Sequence, residues 1–268
     1  MEPLEDSAMR SADDKGASRL DGQPVKCVWM EAGAVNFKIC DRNLECEGCP
    51  FDEAMRQAAG LSGEERTSSS GPWIGGLQFP EDLFYDRHHM WVHVEDRGEM
   101  RVGLDALAAS LVTGFKRIRL PHPGRRVSTL QTCWSVELSP GRIPFPAPGD
   151  GTVLRINEDL LEDPRDLSRD PYGKGWIFAL RPDALGSDLQ RLTFGRGRGD
   201  WFRSELDRCV ETWSRMSGHA GVDAPVAADG GAWDPRGVVS MSRRRRLALV
   251  GMVLRLRLAP RPTGPERR

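Results

Sequence analysis

Lysine is the scarce residue of this chain: 5 Lys stand against 33 Arg in 268 residues, and none lies between Lys116 and Lys174. That gap excludes any chemistry that needs an amine on the long middle stretch, because a guanidinium stays protonated and delocalised and is no acyl acceptor. An excess of charge of one sign is also lacking. With 38 basic and 39 acidic residues the formal net charge is −1, which gives no electrostatic ground for a nucleic-acid or membrane-surface partner. No apolar run is long enough for a membrane span; the run at 247–254 is cut off by Arg255 and Arg257. The first twenty residues are acidic and have no apolar segment, so no secretory signal is expected and a cytoplasmic location is. A Ser-His-Asp order, a phosphate loop and a paired acid are missing too, so no enzymatic activity of its own is expected.

What is present divides the chain into five stretches. Residues 1–24 mix charge, Gly, Ser and Ala without periodicity and read as a disordered lead. Residues 25–59 form a cysteine-rich hairpin-helix unit, with Cys27 to Met30 as one strand and alternating Val35, Phe37 and Ile39 as a second. Pro50 then suits the first turn of a helix that sets Phe51, Ala54, Met55 and Ala58 on one face. Residues 60–76, rich in Gly, Ser and Thr, read as a flexible linker. Residues 77–216 carry the main domain, and 217–268 form an Arg-, Gly- and Pro-rich tail expected to hold little fixed structure. Within that tail, Arg243 to Arg246 read as a solvated charge run rather than as part of a basic membrane anchor.

Four of the six cysteines fall in the second stretch. Cys40, Cys46 and Cys49 have the spacing C-x5-C-x2-C, with Cys27 thirteen residues upstream of Cys40. Four thiols around a hairpin and a helix start suit one tetrahedral site. Zinc would close it as a structural centre, and an iron-sulfur cluster uses the same four thiolates. Free buried cysteines or a reversible Cys46–Cys49 dithiol would leave the same letters, and the second C-x2-C pair of a zinc ribbon is absent. Cys133 and Cys209 sit in apolar contexts and read as core residues. His88, His89 and His93 are close in sequence, but no carboxylate or cysteine stands at ligand spacing beside them, so a structural role is expected.

In the main domain, 91–94 and 100–104 read as paired strands around a turn, 105–112 as a short helix and 115–120 as a strand. The stretch 133–153, CWSVELSPGRIPFPAPGDGTV, reads as strand, tight turn and strand, ending on Gly149, Asp150 and Gly151. Residues 153–156 and 176–180 are further strands, with a helical turn after Asn157 that Pro164 ends. Asp200 is the expected N-cap of a helix with Phe202, Leu206, Cys209, Val210, Trp213 and Met216 in one stripe.

Taken in order, YDRHHMW at 85–91, Val102-Gly103-Leu104, Leu120-Pro121, the central hairpin, Asn157, Pro164, Asp170-Pro171-Tyr172-Gly173 and Gly175-Trp176 resemble the H protein of the glycine cleavage system, over roughly residues 84–182. The resemblance implies an α+β, β-dominant fold, a flattened lipoyl-type β-sandwich (barrel-sandwich hybrid) with flanking helices. It also implies a structural role for His89. In the family a lysine at the hairpin tip carries the lipoyl group, three residues after a glutamate and seven before an Ala-Pro pair. Counting from Glu137 and from Ala147-Pro148 reaches Pro140 both ways. Proline has no amine, so lipoate is not expected. The expected role is that of a binding or adaptor module whose protein partners belong to the glycine cleavage or lipoate machinery. The alternative is a redox or metal-sensing protein that uses the N-terminal cysteines on an H-protein scaffold.

Overall fold

The computed structural model describes residues 19–20, 23–35, 37–40, 42–47, 49, 51–52, 55, 71–80, 82–95, 98–129, 131–138, 141–193, 198–217, 233–256 and 258. The expectations for 1–18, for most of the linker, and for Pro50, Ala54 and Ala58 fall outside these residues. Two short ladders come early, β1 (Arg19–Leu20) with β2 (Gln23–Pro24), and β3 (Trp73–Ile74) with β4 (Leu77–Gln78). The former lies within the expected lead, and the latter begins within the expected linker.

Between them the expected first strand is a helix, α1 (Val28–Glu31), which Cys27 precedes as N-cap. The second strand shrinks to a single bridge between Lys26 and Ile39. The physical reason is packing: Val28 and Trp29 are consecutive and both buried, whereas successive side chains of a strand point to opposite faces, and Phe37 is 72% exposed.

The main domain is built from β5 (Phe84–Tyr85), β6 (Met90–Val94), β7 (Met100–Leu104), α2 (Ala106–Val112), β8 (Arg117–Arg119), β9 (Arg126–Val127), β10 (Trp134–Leu138), β11 (Gly141–Phe145), β12 (Gly151–Ile156), α3 (Asp159–Glu162), α4 (Asp166–Arg169) and β13 (Phe178–Pro182). Its six-stranded sheet has the order β5-β6-β7-β13-β12-β9, and its three-stranded sheet the order β11-β10-β8, with every pair antiparallel. The fold is the α+β, lipoyl-type sandwich expected. Side chains of both sheets share one core that includes Trp91, Val102, Leu180, Trp134, Val136, Ile143 and Phe145. Trp134 stacks on Phe145 at 4.1 Å across the β10–β11 pair.

The sequence motif at 170–173 is a set of staples. Asp170 accepts from the amides of Gly173 and Lys174 at 3.1 and 2.8 Å, which folds the loop after α4. Tyr172 accepts from Ala106 at 3.0 Å and donates to the Gln78 carbonyl at 2.9 Å, while Trp91 donates to the Pro171 carbonyl at 3.0 Å. Asn157 donates to the carbonyls of Lys174 and Trp176, both at 2.7 Å. These polar groups find partners only if the loop closes on the sheet.

Helices follow: α5 (Leu185–Gln190), α6 (Arg198–Ser217), α7 (Arg236–Val239) and α8 (Arg243–Val253). The long helix α6 begins two residues before Asp200, so that residue lies in the first turn and pairs with Arg203 at 3.1 Å instead of capping. Its stripe of Phe202, Leu206, Cys209 and Trp213 is buried in the core. The stretch after 217 departs most from expectation. Val238, Leu249, Val250, Val253 and Leu254 are fully buried, and α8 packs on α6, α2 and β11. Apolar residues dense enough to cover an edge strand outweigh the local Gly and Pro content here. Arg246, expected in solvent, is buried and donates to the carbonyls of Leu111 at 3.0 Å and of Thr113, closing the C-terminal end of α2. Among the described residues no helix is long and apolar enough to cross a membrane.

Candidate functional site

The hairpin β10–β11 alternates as its sequence requires. Trp134, Val136, Leu138, Ile143 and Phe145 are buried, and so is Ile118 of β8, which leaves Glu137, Arg142, Arg117 and Arg119 on the outer face. Register sets Glu137 between Arg142 of β11 and Arg117 of β8. Arg119 donates to one Glu137 oxygen through Nε and Nη2 at 2.9 and 2.7 Å. The Arg119 bond holds the Glu137 carboxyl below its usual range, against slight desolvation, and the charges of Arg119, Arg117 and Arg142 act the same way. One carboxylate among three guanidiniums leaves a cationic face beside the tip. Leu138 pairs with Gly141, and Pro140 lies outside the described residues. The amine next to this face is exposed Lys116, whose amide donates to the Glu137 carbonyl at 2.8 Å just before β8. The arginines of β8 were not read from the sequence as part of this face. The signal was the alternation Arg117-Ile118-Arg119, which sends two charges outward around one core residue.

Cys27, Cys40, Cys46 and Cys49 lie in one neighbourhood, and all six cysteines are free of disulfides. The amide of Cys27 donates to the Lys38 carbonyl at 2.8 Å and that of Cys40 to the Val25 carbonyl at 2.7 Å, flanking the Lys26–Ile39 bridge. Cys27 and Cys40 therefore stand diagonally on the same side of this short pairing. Burial pushes the Cys27 thiol up, the amides of Trp29 and Met30 pull it down, and the charges of Cys40 and Cys49 push it up again. Burial also pushes the Cys46 thiol up to about 12, with Asp52 and then Cys27, Cys40 and Cys49 adding to it. Among the described residues, however, no three His, Cys, Asp or Glu side chains are gathered tightly enough to hold a metal ion as they stand. Cys133 and Cys209 are core residues, 3% and 0% exposed.

The histidines separate. His88 makes a 2.9 Å bond with the Leu254 carbonyl. His89 is fully buried, with Nδ1 2.7 Å from Asp105 and Nε2 3.3 Å from Glu205. Asp105 is also the N-cap of α2, accepting from Ala108 at 2.8 Å. Glu205 accepts from Arg208 and from both Arg255 terminal nitrogens, at 3.0 and 2.7 Å. Burial opposes the imidazolium, but the two carboxylates overcome it and raise His89 to about 9. Burial likewise opposes the Glu205 charge, and the bonds from His89, Arg255 and Arg208 overcome it. Sequence spacing hid this cluster because its members come from the turn before β6, the N-cap of α2, α6 and the segment after α8.

A model of the family described as "Glycine cleavage H-protein" matches residues 83–195. Glycine cleavage system H protein 2 of Aquifex aeolicus is 35% identical over 147 residues, which are 53% of this chain and 91% of that protein. The glycine cleavage system H protein of Alkalilimnicola ehrlichii is 34% identical over 115 residues, 43% of this chain and 88% of that one. A solved H protein from Mycobacterium marinum is 26% identical, covers 47% of this chain and 99% of its own, and has a TM-score of 0.41. The chain belongs to the glycine cleavage H-protein family.

Proposed function

We propose that this chain is an H-protein relative that is not lipoylated at the family's position and serves as a protein-binding adaptor of the glycine cleavage or lipoate machinery. The observation that carries the reading is Pro140. It stands three residues after Glu137 and seven before Ala147, where the family has its lysine, and lipoylation forms an amide on a primary amine. The residues present do not fit the lipoyl group, so no carrier step is assigned to the hairpin. The reading gives the chain no reaction of its own. What remains for a partner is the outer face of β8, β10 and β11, where Arg117, Arg119 and Arg142 outnumber Glu137, which suits an acidic protein surface.

The alternative is a redox or metal-sensing protein that uses Cys27, Cys40, Cys46 and Cys49 on the H-protein scaffold, and the mutual influence of the four thiols is the observation that favours it. The test is the intact mass of the full chain produced in a host that lipoylates its own H proteins. The unmodified mass is expected. A lipoyl adduct would overturn the reading, and Lys116→Arg would then show whether the exposed amine beside the hairpin had taken the group.

A further inference from the structure

We infer that Cys27, Cys40, Cys46 and Cys49 form an all-thiolate site for one thiophilic metal centre, and that this centre fastens the N-terminal unit onto the H-protein-like domain. Nothing in the family match covers these residues, since that match begins at residue 83.

As they stand no three of these thiols are close enough together to hold an ion, so loading has to draw the sulfurs together, and three observations place the site here. The Lys26–Ile39 bridge sets Cys27 and Cys40 diagonally on one side, and a turn closed by the Cys49 amide on the Cys46 carbonyl at 3.0 Å presents the other two. The Cys40 sulfur accepts two backbone N–H groups, from Arg42 at 3.5 Å and Leu44 at 3.2 Å. A neutral thiol gains little from two amide donors, whereas a metal-bound thiolate is stabilised by them and its charge tuned. To reach that sulfur the loop places Asn43 and Leu44 in the left-handed region, at φ 50° and 65°, and neither is glycine. Strain of this kind persists where the surroundings fix it, and it collects at functional sites.

The same loop ties the unit to the domain. Leu44 is 4% exposed and belongs to the shared core, and its Cδ1 lies 2.7 Å from where a Cβ on Gly98 would stand, in the turn between β6 and β7. Among the described residues the unit has one bridge, a helix of four residues and helical positions at Phe51, Asp52 and Met55, a small structure for which a metal would supply folding free energy.

The donor set fits a soft cation. Four sulfurs and no open position suit a closed tetrahedral centre, zinc or an iron-sulfur cluster, rather than a hard oxygen-seeking ion. Loading with zinc is balanced as four thiols plus Zn2+ giving a tetrathiolate of charge −2 and four released protons. Loading with a 4Fe–4S cluster of charge +2 takes two Fe2+, two Fe3+ and four S2− from the medium and likewise leaves a complex of charge −2 and four released protons. Because each thiol must lose its proton, uptake weakens as pH falls.

The experiment uses the full chain purified without oxygen. Metal and acid-labile sulfide are measured, followed by alkylation of thiols before and after chelation. Stoichiometric zinc in a colourless sample, or iron with sulfide and a visible absorption band, supports the site and tells the two centres apart. In either case these four thiols are shielded until the chelator is added. Apo protein given Zn2+, or iron with sulfide, should regain that shielding and a higher Tm. Any of Cys27→Ser, Cys40→Ser, Cys46→Ser or Cys49→Ser should lose metal while Cys133→Ala keeps it. Should the serine variants fail to fold, alkylation of the parent chain still decides. The inference is overturned by a chain that binds neither metal, by four thiols that react equally fast with and without it, or by a Cys46–Cys49 disulfide in its place.

Discussion

Trp91 and Gly103 face each other across β6 and β7, and a Cβ added to Gly103 would fall 2.4 Å from the indole ring. The indole lies over the bare backbone of its partner strand, held by the bond from its ring nitrogen to Pro171 at 3.0 Å. Trp91 is 1% exposed and has no space to retreat into. Gly103→Ala should therefore destabilise the domain by about 3 kcal/mol, the upper part of the usual range for overpacking. Urea denaturation against the parent protein measures it. Gly141→Ala is the comparison: its Cβ would meet only the Cδ1 end of Leu247, at 2.9 Å, and the loss should be smaller.

The cluster of His89, Asp105, Glu205, Arg208 and Arg255 makes stability depend on pH from both sides. His89 is raised from 6.5 to about 9, so its contribution is complete below 6.5 and is lost as pH rises through 9. Glu205 is lowered from 4.5, so its contribution is complete above 4.5 and is lost on acidification. The unfolding free energy should be highest between about pH 5 and 6.5 and fall towards pH 9.5, by at most about 3 kcal/mol from His89, with Tm following the same course. His89→Gln should flatten the alkaline side of the curve, and an unchanged slope would remove His89 as its source.

Arg246 joins α8 to α2 through the carbonyls of Leu111 and Thr113. Arg246→Ala should cost about 2 kcal/mol by leaving these acceptors without their donor. Exposed Arg244→Ala should change stability by less than about 0.5 kcal/mol. Hydrogen exchange would place the loss: amides of α8 and of the last turn of α2 should exchange faster only in the Arg246 variant.

Pro140→Lys restores the one residue that the hairpin lacks, with Glu137 and Ala147-Pro148 already at the family's spacing. Produced together with a lipoate ligase and free lipoate, this variant should carry one adduct by intact mass, and the parent none. A variant that stays unmodified would show that the arginines around Glu137 also keep the ligase off.

Much of the architecture was legible in the sequence because it is local. Apolar runs around turn residues placed β6, β7, β8, β10 and β11, helical spacing placed α2 and the buried stripe of α6, and the order of motifs placed them in one family. The identity of residue 140 is likewise a fact of sequence alone, and the reading of function rests on it. Only the tertiary structure decided the rest. Val28 and Trp29 form a helix because both are buried, Val28 in the shared core and Trp29 with its ring nitrogen on Asp52 at 2.8 Å, against their strand-like composition. The tail folds because β11 offers an edge and α6 and α2 a surface that Leu249, Val250 and Val253 can cover. Arg246 turns inward because two helix-end carbonyls, 133 and 135 residues earlier in the chain, lack donors. Charge runs and loop-like composition describe what a segment does in water; whether a neighbour takes it out of water depends on contacts that only the folded chain creates.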